Sequence, residues 1–377
     1  MCRTPSVAGW QHCSPLASLS RPRPVTDAAS FVIRGTLRED WIDVAKGIAI
    51  TLVVLYHSVM YLDRVGLAGD LAPLNPLLDT FRMPLFFFIS GLLAAQAIRL
   101  PFWQLFRKRM SLLLYLYTAW VAAQTLFLLA LPPIGPEGPF ARWSDLVTLF
   151  IRPNINLWFI YALPIFLTVA WLTRRWHPLI SVSVTGALAV LFGSQVLHTG
   201  TPWDKMGRYL VFFLAAIWLG PRVRRLIPRV RWWHMAVLCG LYAGVVLLMV
   251  KLSLTRVPFV LLAVSVLAVL VGISVAVVLS RAPMFDFMRV LGSRTLPIYL
   301  VHTFPMAALA AIVMAGGVTL PTDAATAVPL LLCGAAIVLA LAVYRRFAAV
   351  PGVFTVPIAS WAAQPRKAVR EQTEASA

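Results

Sequence analysis

One apolar run carries three residues that could do chemistry. Trp41–Ser58 holds Asp43, Lys46 and His57 in a mostly apolar sequence. At about 100° per helical residue, Lys46 and His57 differ by roughly 20° and Asp43 falls within about 40° of His57. All three then share one stripe, spread over about 21 Å of rise. An imidazole there can take a proton from a hydroxyl, a lysine can steady developing charge, and an acid can orient either. Ionisable groups at membrane depth are costly and are functional by default. The plainer reading pairs a snorkelling Lys46 with Asp43 and leaves His57 as a helix-packing histidine.

Other candidates lie farther along. His302 follows Thr295 and Tyr299 on one helical face, and Tyr299 and His302 are candidate substrate contacts. Arg82 opens the run Phe81–Gly91, and a short connection brings it toward His57. Its alternative role is an interfacial anchor, and that of His302 is packing between helices. Trp158 starts a fourth apolar run, where a sugar could stack, although Trp is common at membrane interfaces. Arg107, Lys108 and Arg109 form a basic triplet that suits phosphate or simply marks a cytoplasmic side. His12, His177, His198 and His234 fall in the tail, at span boundaries and in a loop. Cys2, Cys13, Cys239 and Cys333 have no metal spacing and imply no disulfide framework. No nucleophile elbow or Cys–His pair competes with His57.

The elements that must position these residues follow from composition. The chain has 377 residues, 60% hydrophobic and 12% charged, with net charge +19. A soluble chain carries about 25% charged residues, so the expected class is an all-α integral membrane protein. A crossing takes about 20 apolar residues. Ten runs qualify: Val44–Leu62, Phe81–Ile98, Leu112–Leu131, Leu157–Thr173, Leu179–Leu197, Tyr209–Gly220, Met235–Val250, Pro258–Ser280, Thr295–Ala315 and Ala325–Tyr344. The sixth is short. Pro84, Pro164 and Pro297 are possible break points. Pro101–Met110 and Arg142–Ile151 read as interfacial amphipathic segments. With the N-terminal segment cytoplasmic, 24 Lys and Arg fall on the cytoplasmic side and 8 opposite. That bias places both termini in the cytoplasm. It also scatters the cations, which leaves no single basic domain and takes most support from a nucleic-acid role. Residues 1–40 read as a disordered basic tail without a signal peptide, 41–345 as one membrane domain, and 346–377 as a C-terminal tail.

The motifs DVAKGIAITLVVLYH, FRMPLFFFISGLL and LGSRTLPIYLVH resemble, in order and spacing, acyltransferase family 3. The likeness is nearest to the fucose 4-O-acetylase-like branch and covers about residues 38–345. It implies ten spans in a bacterial inner (cytoplasmic) membrane. It implies acetyl transfer from acetyl-CoA, without a metal, to a hydroxyl of a cell-envelope glycan or lipid-linked sugar. The family's basic residue and histidine of the first span fall on Lys46 and His57. Many members carry Arg where Lys46 stands, and an Arg-x-x-Arg pattern of the third span is replaced by Arg107-Lys108-Arg109. The resemblance makes His57 a general base or acyl carrier, with Arg82 and His302 completing the pocket. The rival readings are a sugar or lipid transporter or flippase, and a non-catalytic scaffold.

Overall fold

The computed structural model describes residues 39–134, 141–153, 156–254, 257 and 259–357. The expected N-terminal tail before Glu39, the C-terminal tail beyond Pro357 and part of the loop ahead of Asn156 lie outside the described residues. Every regular element among those described is helical. The first eight α-helices longer than one turn are α1 Asp40–Asp63, α2 Asn75–Ala94, α3 Ser111–Leu129, α4 Trp158–Leu172, α5 Pro178–Gly193, α6 Trp203–Leu226, α7 Trp232–Lys251 and α8 Val260–Leu279. They are followed by α9 Asp286–Ser293, α10 Thr295–Val301, α11 Thr303–Gly316 and α12 Thr322–Phe347.

Each expected span coincides with a helical stretch, and 7 of these stretches are long and apolar enough to cross a membrane by length and composition. They are α1, most of α2, Phe102–Leu129, α7, α8, Thr295–Gly316 and α12. Helices α4 and α5 are shorter, at 15 and 16 residues. Helix α6 is charged at both ends and runs to 24 residues, twice its apolar run.

Local differences from expectation have physical causes. Neither Pro84 nor Pro164 breaks its helix. Packing on both sides holds the run together, as α2 lies against α1, α6 and α8. Pro297 sits in the first turn of α10, where its missing N–H is not needed. The ninth span breaks instead between α10 and α11, at His302. Three residues on, Pro305 has no N–H to offer the Val301 carbonyl. Pro101–Met110 is a helical turn and a π-helical turn that lead into α3, with Trp103 exposed.

Helix α1 is the centre of the molecule. It packs on α2, α8, α9, α10, α11 and α12. Asp40 and Asp43 in its first turn suit the helix dipole. Thr51 and Ser58 donate to the Gly47 and Val54 carbonyls, so these hydroxyls need no outside partner. Close approach depends on glycine. A Cβ on Gly47 would meet the Met288 backbone of α9, and one on Gly292 would meet the Asp43 carbonyl of α1. Gly91 of α2 lies likewise against the Phe213 carbonyl of α6, as its Ser90-Gly91 pair suggests. Gly292→Val is therefore expected to cost about 1–3 kcal/mol through forced separation of α1 and α9. Thermal unfolding in detergent checks this, and an unchanged Tm would show that the crossing relaxes freely. The periphery is apolar: α7 exposes Trp232, Val237, Leu241 and Leu247.

Candidate active site

The site forms where α1, α2, α4, α6 and the α10–α11 break converge. His57, on α1, is 6% exposed, and His302, at the break, is 0% exposed. His302 Nε2 lies 3.2 Å from His57 Nδ1. His57 Nδ1 is also 2.9 Å from the Val53 carbonyl oxygen. His302 Nδ1 faces the Tyr299 and Ile298 carbonyl oxygens at 2.8 and 3.2 Å.

A cationic wall faces this pair. Arg82 of α2 is 3% exposed and lies over the Tyr56 ring, 3.3 Å from its centroid. Its Nη2 donates to Asp79 one turn earlier, and Lys205 Nζ of α6 reaches the other Asp79 oxygen at 3.3 Å. Among the described residues, Arg82 Nε and Nη1 are buried without a hydrogen-bond partner. Buried donors are rarely left so, and these two can grip an oxygen that arrives with a substrate.

Between the walls is a cavity of about 20 Å3, lined by Val53, Tyr56, His57, Met60, Arg82, Met83, Trp158, Lys205 and Tyr299. That is room for about one water. Trp158 stacks on Tyr209, and Tyr209 donates to the Asp79 carbonyl at 3.2 Å. Tyr299 donates to the Asn156 carbonyl at 2.7 Å, and Asn156 donates to Tyr61 at 3.2 Å. These bonds fix the aromatic rim.

The structure brings together His57, Arg82, Trp158, Tyr299 and His302. It separates Lys46 from them. Lys46 Nζ pairs with Asp43 at 2.7 Å, about 16 Å of helical rise from His57. The two share a stripe but not a cavity. Lys108 and Arg109 line a second cavity, of about 260 Å3, with Ser90, Leu93, Leu163 and Phe213 among its walls. Arg107 is not part of that lining. Tyr56, Asp79 and Lys205 were not legible as site residues. Asp79 had one signal, its position three residues ahead of Arg82; Lys205 had none.

A histidine facing a buried arginine inside a helical membrane protein is a setting for group transfer, and the chain belongs to acyltransferase family 3. The acyltransferase domain of that family matches residues 39–345. One relative is the inner membrane protein YcfT of Escherichia coli strain K12, 28% identical over 218 residues. The match covers 51% of this chain and 59% of that protein, less than two thirds of its length. No solved structure matches the chain.

Proposed function

We propose that the protein is an O-acyltransferase of a bacterial inner membrane. It moves an acetyl group from acetyl-CoA to a hydroxyl of a cell-envelope glycan or lipid-linked sugar. The observation that carries this reading is the pairing of His57 with two unpartnered Arg82 donors across one cavity. His57 takes the acceptor's proton as its oxygen attacks the thioester carbonyl. Charge develops on the carbonyl oxygen and falls to Arg82, with Lys205 behind it. The C–S bond then breaks, and the departing thiolate takes the proton from His57. Trp158 and Tyr299 supply flat apolar faces for a sugar. The one-water volume means that donor and acceptor enter only when the walls part, and Met60 and Met83 are the pliable members. Lys108 and Arg109 suit the CoA phosphates at the rim of the second cavity.

Purified protein is expected to release CoA thiol from acetyl-CoA when an acceptor is present. Envelope glycans of cells lacking the gene should lose O-acetyl groups by mass spectrometry. A transporter or flippase would consume no acetyl-CoA, so failure to turn it over with any envelope fraction would overturn the reading. Lys46, paired with Asp43, steadies charge or orients donor groups from its end of α1. Lys46→Arg is expected to keep more activity than Lys46→Ala, because a cation still meets Asp43. Equal activity of all three proteins would remove its role.

A further inference from the structure

We propose that His302 is a positioning residue that holds His57 in one tautomer and shares its charge once it is protonated. The proposal rests on the reading of His57 as general base, but the geometry beneath it does not. Carbonyl oxygens only accept. His302 Nδ1 faces two of them, Tyr299 and Ile298, so it carries a hydrogen. Its Nε2 therefore presents a lone pair to His57 Nδ1, 3.2 Å away. His57 Nδ1 also faces the Val53 carbonyl, so this nitrogen carries the hydrogen and donates to both acceptors. The lone pair of His57 is thereby assigned to Nε2, and the ring borders the cavity that Arg82 closes.

His302 does not line that cavity and is 0% exposed, so its contact with the site runs through His57. This changes its expected role from substrate contact to support of His57. A histidine that accepts a proton needs its other nitrogen oriented by an acceptor. Carboxylates commonly do this, and here a neutral imidazole stands in that place. When the acceptor's hydroxyl proton moves to His57 Nε2, the positive charge on the ring strengthens the Nδ1–H bond to His302 Nε2. The bond persists through the step, and no proton needs to cross it. The α10–α11 break places the ring, because His302 is the residue at which the helix turns.

The test uses full-length protein in detergent. Nitrogen-15 NMR of labelled histidine should show His57 with its hydrogen on Nδ1 and a bare Nε2. A wild-type His57 protonated on Nε2 would overturn the proposal. Kinetics of CoA release supply the second arm. His302→Gln places Oε1 where Nε2 was and is expected to keep kcat within about tenfold. His302→Asn keeps the bond to Tyr299 but offers His57 nothing. His302→Asn and His302→Leu should each lower kcat about 10²–10⁴-fold with KM within about twofold. A purely packing role would instead leave His302→Leu near wild type, or would lower Asn and Gln alike. If wild type turns over no acetyl-CoA, the acyl-transfer reading falls while the NMR arm still decides the tautomer.

Discussion

Replacing His57 by Ala is expected to lower kcat for acyl transfer about 10²–10⁴-fold, the range for a lost general base. The protein should remain inserted and folded. The ring is buried, but its loss orphans little: the Val53 carbonyl keeps the backbone N–H of α1, and His302 keeps its own Nδ1 bonds. The cavity grows by one ring, a stability cost of about 2–4 kcal/mol. That is enough to lower Tm but not to abolish insertion. The measurement has two arms. CoA-thiol release by purified protein gives kcat, and complementation of cells lacking the gene gives the O-acetyl content of the envelope. Full restoration of O-acetyl groups by a normally inserted His57→Ala variant would end the catalytic assignment. A stoichiometric burst of CoA from wild type without acceptor, absent from His57→Ala, would instead identify His57 as an acyl carrier, because a covalent intermediate releases thiol before the acceptor binds.

Helical register was readable from the sequence, and distance between helices was not. The stripe of Asp43, Lys46 and His57 is real, yet it runs along the axis. Angular agreement therefore joined residues that about 16 Å of rise keeps apart. Lys46 took the nearer acid, one turn away. His57 and His302 were both conspicuous as intramembrane histidines. Nothing local tied them, because 245 residues separate them and only the packing of α1 on α10 and α11 closes the gap. Arg82 was placed beside His57 by the short connection between its helix and α1, and the cavity contains both.

The cation count shows how a charge pattern hides exceptions. The 24-to-8 division followed span ends drawn at the limits of apolar runs. Helix α2 begins at Asn75, six residues before its apolar run, so Asp79 lies inside the helix on the turn below Arg82. Helix α6 begins at Trp203, so Lys205 is a helical residue aimed at Asp79 rather than a loop charge. Arg82 and Lys205, two of the eight cations counted to the outer side from the sequence, are thus parts of the site. Composition marks a crossing by its apolar middle, and the charged first turns of helices are where that marker fails.

Asp79 is the residue whose loss should most damage the fold. It is the carboxylate between Arg82 and Lys205, with side chains only 19%, 4% and 19% exposed in that order. Removing one member of a buried ion group strands the others, at about 3–5 kcal/mol. Asp79→Leu is therefore expected to lower Tm sharply and to reduce the amount inserted. Arg82→Met should behave differently, because Asp79 retains Lys205. Its Tm should fall less, while kcat drops about 10²–10³-fold through loss of the donors aimed at the developing oxyanion. The triple variant Asp79→Leu, Arg82→Met, Lys205→Met replaces the whole group by apolar side chains. It should regain much of the Tm lost in Asp79→Leu and none of the activity. Thermal unfolding in detergent and CoA release on the same preparations separate the two effects. An Asp79→Leu protein with wild-type Tm would show that the carboxylate does not hold the cations, and an Arg82→Met protein with wild-type kcat would show that the oxyanion is held elsewhere. The contrast matters because a buried arginine kept only for packing would track stability, whereas one kept for chemistry must fail in kcat while the fold survives.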